Sequence, residues 1–299
     1  MTSLAAAIEN RPVVLDGGLG TLLERRGHDL SSSLWSALLL LNDPDEVRSA
    51  HAEYFAAGAR VGITASYQVS YERLAELGLD ASDVNQILRR SVQLGKEALA
   101  EADGEGWIAA SVGPYGAMRA DGSEYRGDYG LTVDELRAWH RPRLAVLAEA
   151  GADALAAETI PSLAEVEAIA REVEGTGVPT WISVTAAYGA LRSGESLAEA
   201  YAIAADVDEV IGVGINCSDP LDVMGAIRQA RLVTQKPIVV YPNSGEQWDA
   251  KNRRWMGEAS FPDWLVSEWV DAGATLIGGC CRVGPAEIER IAQVVEQRP

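Results

Sequence analysis

The stretch Val210-Ile211-Gly212-Val213-Gly214-Ile215-Asn216-Cys217 is apolar at every position until it ends on an amide and a thiol. An unbroken apolar run, lacking the alternation of a half-exposed strand, marks a strand buried on both faces, as in a parallel sheet covered by helices. Seven more runs of this kind are present: Val13–Asp16, Val61–Ser66, Trp107–Gly113, Ala154–Glu158, Thr180–Thr185, Pro237–Pro242 and Thr275–Gly279. Stretches of helical period separate them. Pro44–Ala57 has Asp43 as N-cap and Pro44 at the first helical position. Thr132–Ala150 opens with a Thr132…Glu135 capping box, and Leu136, Trp139, Arg143, Leu144 and Leu147 fall on one face. Ser162…Glu165 starts the following helix in the same manner. Gly58, Gly151 and Gly273 each follow a helix and suit a left-handed C-terminal position.

Eight strands alternating with helices in 299 residues predict an α/β protein of one domain, a (β/α)8 barrel over residues 1–299. Its core is expected from about residue 12 to about residue 297. The competing architecture is an open doubly wound sheet, which usually carries a phosphate-binding glycine fingerprint after a strand. The stretch Gly212–Cys217 lacks the third glycine, Gly17-Gly18-Leu19-Gly20 does not fit, and no Walker A sequence occurs. Gly116–Gly130, GAMRADGSEYRGDYG, is the one long irregular stretch and reads as a functional loop.

Composition narrows the function. The chain has 25 basic and 44 acidic residues, a net charge of −19, which argues against nucleic acid and against an anionic membrane surface. Such a charge attracts cationic small molecules instead. No apolar run approaches the roughly 18 residues of a membrane span, and no basic segment followed by an apolar run opens the chain. Three cysteines, two of them adjacent, are no disulfide scaffold and fit a reducing cytoplasm.

In a barrel the chemistry lies at the C-terminal strand ends. These are Asp16-Gly17-Gly18, Thr64–Gln68, Ser111–Pro114, Glu158-Thr159, Asn216-Cys217, Tyr241–Ser244 and Cys280-Cys281. All three cysteines therefore fall on one rim. Three thiolates can hold Zn²⁺ and leave a fourth position open, the pattern of a catalytic zinc site. The competing reading is three small buried apolar residues. Adjacent Cys280 and Cys281 weaken it, since neighbours on a strand point to opposite faces. If oxidised, that adjacent pair is expected to close on itself. Asp16 before two glycines suits a turn or a ligand equally. Glu158, ending an Ala-rich strand, is costly to bury unpaired and is expected to meet a ligand ammonium. Trp35, Tyr67, Tyr115 and Tyr125 suit a cationic pocket, with ordinary packing as the alternative. His28, His51 and His140 are expected in surface or capping roles.

Several motifs resemble the homocysteine S-methyltransferase family, above all its bacterial S-methylmethionine-dependent members. The carriers are Leu15-Asp16-Gly17-Gly18, Ile63–Gln68, Ser111–Gly116, Asp121–Tyr129, Gly214-Ile215-Asn216-Cys217, Tyr241-Pro242-Asn243-Ser244-Gly245-Glu246 and Gly278-Gly279-Cys280-Cys281-Arg282. The resemblance runs from about Val14 to about Gln293 and implies a (β/α)8 barrel with one zinc on Cys217, Cys280 and Cys281. Many relatives have Asn where this chain has Ala65, and the S-methylmethionine group often has Ala there; the stretch from Thr185 to Ala190 lacks the charges common in relatives.

By that resemblance the substrates are homocysteine and a sulfonium donor, S-methylmethionine or S-adenosylmethionine, and the product is methionine. Asp16, Gly17, Gly18, Glu158, Thr159 and Asn216 would serve homocysteine. Gly17 and Gly18 would let the backbone approach the ligand closely. Trp35, Tyr67, Tyr115 and Tyr125 would serve the donor, and the Gly116–Gly130 loop would cover the site. The alternatives are a betaine-type donor, a zinc-dependent barrel hydrolase or lyase, and a non-catalytic binding barrel with redox-sensing cysteines. A hydrolase usually needs histidine or carboxylate ligands and a base, and no histidine lies at a strand end.

Overall fold

The computed structural model describes residues 2–28, 35–249, 254–257, 259 and 262–298, without the side chains of 35–37, 247–249 and 254–255. Eight parallel strands form the barrel: β1 Val13–Val14, β2 Val61–Ile63, β3 Trp107–Val112, β4 Ala154–Ile160, β5 Thr180–Val184, β6 Val210–Asn216, β7 Ile238–Tyr241 and β8 Ala274–Ile277. Their neighbour order is β1-β8-β7-β6-β5-β4-β3-β2. The ring closes between β1 and β2, where Leu15 pairs with Val61 and the Arg60 N–H donates to the Val14 carbonyl at 2.8 Å. Closure excludes the open doubly wound sheet. Every residue of β3, β4 and β5 is buried, as unbroken apolar runs demand.

The barrel interior is filled from its N-terminal end by Trp107, Trp181, Leu15, Val61, Val239 and Leu276. Trp181 donates its indole N–H to the Tyr241 hydroxyl at 3.1 Å, so the buried ring leaves no polar atom orphaned. A helix that the sequence reading did not identify plugs the bottom. This is α1, Leu4–Asn10, whose Leu4, Ala7 and Ile8 join the interior cluster. Ser3 caps it by accepting the Ala6 N–H at 3.3 Å, and the Thr2 carbonyl accepts the Trp107 indole N–H at 2.9 Å.

The outer layer comprises α2 Leu19–Arg25, α3 Trp35–Asn42, α4 Pro44–Ala56, α5 Tyr71–Ala75, α6 Ala81–Ala100, α7 Tyr115–Arg119, α8 Val133–Glu149, α9 Leu163–Val173, α10 Leu197–Ala205, α11 Val223–Val233, α12 Asp263–Asp271 and α13 Pro285–Glu296. A second cluster of apolar side chains lies between strands and helices. The capping box of α8 is present: Glu135 donates its N–H to Thr132 Oγ1 at 3.3 Å and accepts the Thr132 N–H at 2.8 Å. Among the described residues no helix is long and apolar enough to cross a membrane.

Three expectations need correction. Ser162 makes no side-chain cap bond, and Glu165 turns away from it. Buried Glu165 instead accepts the Tyr115 N–H at 2.6 Å and the His140 Nε2–H at 2.9 Å. His140 is therefore no surface residue; burial lowers its pKa and keeps its ring neutral. His51 is buried too, with its pKa pulled down to about 4 by desolvation. Thirdly, Gly116–Gly130 is not wholly irregular. It contains most of α7 and a 3-10 turn, Ser123–Tyr125. Two short antiparallel ribbons also rise from the C-terminal rim: Ala186–Ala187 with Ala190–Leu191, and Gln247–Asp249 with Arg254–Met256.

Candidate metal and substrate site

The three thiols meet at the C-terminal mouth. Cys217 follows β6, Cys280 and Cys281 follow β8, and their sulfurs lie within 4.8 Å of one another. Cys280 Sγ and Cys281 Sγ are 4.0 Å apart. Cys217 and Cys280 are joined as a disulfide, with Cα atoms 5.6 Å apart. This corrects the expected vicinal pairing: Cys280 pairs with Cys217, which reaches across from β6, and Cys281 is left free beside them. Burial pushes the Cys281 thiol up to about 11, and the negative charges of Glu158 and Glu24 add to it. An ionised sulfur there needs a cation beside it. Three soft donors converging on one point, with no histidine among them, suit a thiophilic metal ion.

The sequence motifs explain how the cysteine loop is built. Cys280 donates its N–H to the Pro242 carbonyl at 2.8 Å. Cys281 donates its N–H to Asn243 Oδ1 at 3.2 Å and accepts the Ser244 N–H at 3.1 Å. Glu246 closes the clasp with an ion pair to Arg282 at 2.6 Å. On the opposite side the loop presses on the end of β1. A Cβ on Gly18 would lie 2.4 Å from the Cys280 carbonyl oxygen, and one on Gly17 would lie 2.3 Å from that of Val283. The close approach that these glycines permit is thus between two segments of main chain, where the sequence reading expected a ligand.

Two buried carboxylates stand beside the sulfurs. Asp16 accepts the Ile63 N–H at 2.8 Å. Desolvation nevertheless raises its pKa well above the usual range, and Glu158 adds repulsion. Glu158 accepts a hydrogen bond from the Ser111 hydroxyl, and the nearby Tyr241 hydroxyl also favours its ionised form. Burial outweighs both and lifts its pKa to about 7. A pair of desolvated carboxylates is a ready seat for an ammonium group. Ser111 and Tyr241 lay unassigned in the strand-end motifs. Their role was hidden because the three residues lie on three different strands.

Asn216 is a clamp. Its Oδ1 accepts the Thr159 N–H at 2.7 Å, and its Nδ2 donates to Thr159 Oγ1 at 2.8 Å. Thr159 needs it, because its φ is +62°, a left-handed conformation costly for a β-branched residue. The clamp fixes the peptide that follows Glu158. Cys217 and Arg282 also have positive φ, at +46° and +65°. Backbone strain therefore gathers at the ends of β4, β6 and β8.

The aromatic candidates divide. Half-buried Tyr67 lies within electrostatic reach of Glu158, and Tyr125 of Cys281. Both are therefore near the site. The Tyr115 ring is engaged by Tyr129 and Trp139, each 5.2 Å away between centroids. The side chain of Trp35 lies outside the described residues.

A (β/α)8 barrel that gathers three thiols and two buried carboxylates at its mouth has the makings of a barrel enzyme whose sulfurs could hold a metal ion. The chain is a member of the homocysteine S-methyltransferase family, whose sequence profile matches residues 13–295. It is 43% identical over 297 residues to the homocysteine S-methyltransferase YbgG of Bacillus subtilis, covering 94% of this chain and 93% of that protein. It is 44% identical over 305 residues to homocysteine S-methyltransferase 4 of Zea mays, covering 95% and 89%. The metallated form of the homocysteine methyltransferase MmuM from Escherichia coli superposes with a TM-score of 0.87 at 38% identity, covering 96% of this chain and 98% of that one.

Proposed function

We propose that this protein transfers a methyl group from a sulfonium donor, S-methylmethionine in preference to S-adenosylmethionine, to homocysteine, forming methionine. The observation that carries the reading is the convergence of Cys217, Cys280 and Cys281 beside Asp16 and Glu158. In their reduced form, kept by a cytoplasmic environment, the three cysteines would hold one Zn²⁺. Bound zinc supplies Lewis acidity, which keeps a substrate thiol ionised at neutral pH.

The residues of the chain position the reactants. Glu158 and Asp16 receive the homocysteine ammonium, which favours the ionised form of both. Asn216 holds Thr159, and through it the backbone beside Glu158, in place. Tyr67 and Tyr125 face the donor. The Gly116–Gly130 segment carries Tyr125 over the mouth and excludes water. The homocysteine sulfur attacks the methyl carbon in line, and the donor sulfur leaves with the bonding pair as a neutral thioether. No general acid is needed, so alignment is the main task of the protein.

The test is methionine formation from homocysteine by reduced, zinc-loaded protein, with each donor offered separately. Faster turnover with S-methylmethionine is expected. No turnover with either sulfonium, in protein holding one zinc per chain, overturns the reading.

A further inference from the structure

We propose that Thr64 and Ser66 are positioning residues for the ammonium seat: their hydroxyls fix Ser111 so that its own hydroxyl meets Glu158; this rests on the reading of Glu158 given above. β2 and β3 run as a parallel ladder as far as Ile63 opposite Ala109, and the Thr64 N–H donates to the Ala109 carbonyl at 3.0 Å. A ladder continued by one step would send the Ser111 N–H to the Thr64 carbonyl and the Ser66 N–H to the Ser111 carbonyl. The side chains of the same two residues take those places. The Ser111 N–H donates to Thr64 Oγ1 at 3.1 Å, and Ser66 Oγ donates to the Ser111 carbonyl at 2.7 Å.

The hydrogens in this ring can be assigned. Ser66 has one hydroxyl hydrogen and spends it on the Ser111 carbonyl. Thr64 Oγ1 and Ser66 Oγ are 2.8 Å apart, so the Thr64 hydroxyl is the donor between them. The ring is closed, and each of the two hydroxyls both gives and receives. Thr64, Ser66 and Ser111 are all buried. Removing one hydroxyl therefore strands a polar group away from water.

Main-chain pairing would keep β2 alongside β3, whereas hydroxyl pairing lets it leave. The chain turns at once, with the Val69 N–H donating to the Ser66 carbonyl at 3.1 Å. Ser111 stays fixed by its own N–H and C=O. On β3, Trp107 and Ala109 belong to the interior cluster, and Ser111 is next on that face. On β4, Ala154 and Ala156 belong to the same cluster, and Glu158 is next. The two side chains thus meet on neighbouring strands, where the Ser111 hydroxyl donates to Glu158. On the far side of Glu158, Asn216 accepts the Thr159 N–H at 2.7 Å and stands next to Cys217. The carboxylate is held from both sides, and Thr64 and Ser66 act on the substrate only through Ser111. Their effect therefore falls on homocysteine binding.

The experiment is steady-state kinetics of reduced, zinc-loaded Thr64→Val at pH 8, with homocysteine varied at saturating donor and then the reverse. Val is nearly isosteric and lacks the hydroxyl. The homocysteine KM is expected to rise roughly fivefold, while the donor KM stays within about twofold. Thr64→Ser, which keeps the hydroxyl, is expected to restore the wild-type value. In a Ser111→Ala background, Thr64→Val should change the homocysteine KM by less than about twofold, because the hydroxyl it aims is already gone. An unchanged homocysteine KM in Thr64→Val overturns the proposal. So does an equal rise for both substrates, or an undiminished effect in the Ser111→Ala background, each of which marks a purely structural role. Should Thr64→Val fail to fold, Ser66→Ala carries the same expectations, since it leaves the Ser111 carbonyl without that donor. Glu158→Gln separates the two readings. If it raises the homocysteine KM while the Thr64 and Ser66 variants do not, only the positioning role falls; if it too changes nothing, the ammonium seat itself is refuted.

Discussion

Replacing Glu158 with Gln tests the ammonium seat through its pH dependence. The buried carboxyl titrates at about 7 in the substrate-free protein. Only the ionised form attracts the homocysteine ammonium. About a tenth of the protein carries that charge at pH 6 and about nine tenths at pH 8. The contribution of this contact to affinity therefore rises roughly tenfold over two pH units. Gln can still accept the Ser111 hydroxyl but has no titration. Ionisation of the substrate thiol also varies with pH, but it is common to both proteins and cancels in a ratio. The ratio of variant to wild-type homocysteine KM is expected to grow about tenfold from pH 6 to pH 8. Initial rates at saturating donor and constant ionic strength measure it. A ratio that stays flat across this range refutes the placement of the ammonium on Glu158.

The same titration fixes a stability effect. Raising the carboxyl from 4.5 to about 7 means that ionisation opposes folding. The penalty is absent below pH 4.5 and grows to roughly 3 kcal/mol as pH rises through 7. Metal-free, reduced Glu158→Gln is therefore expected to be more stable than wild type at pH 8, with most of the advantage gone at pH 5, as read from urea midpoints. Cys217→Ala, Cys280→Ala and Cys281→Ala should each lose zinc, read by elemental analysis, and turnover, with far-UV circular dichroism unchanged. Gly18→Ala should displace the cysteine loop, because its Cβ would meet the Cys280 carbonyl at 2.4 Å. A cost of about 1–3 kcal/mol and faster zinc loss to a chelator are expected. Asn216→Ala leaves the buried Thr159 N–H unpaired and should cost roughly 2–4 kcal/mol in urea unfolding.

The strands were legible because their burial is written in single runs: Val210–Asn216 is the same segment in sequence and structure. The Pro44 helix and the Thr132 box were legible for a related reason, since their signals are local. The misreadings share the opposite cause. Ser162…Glu165 has the spacing of a cap, but Glu165 is claimed by His140 and Tyr115, partners from other elements. His51 and His140 look like surface polar residues until the helices around them are in place. In the site, the cysteines could be placed together once eight strands were counted, because strand ends share a rim.

The seam between β1 and β8 brings the earliest barrel strand to be synthesised against the last, and the cysteine loop rests on it. Asp16 finds Ile63 early, but Gly17 and Gly18 have no cysteine loop to meet until Gly278–Val283 has been made. Closing the barrel and gathering the sulfurs therefore belong to one late step. If the cysteines hold the proposed zinc, its capture follows that step, and a ribosome-bound chain stopped before residue 280 should show no such affinity, however much of its sheet has already formed.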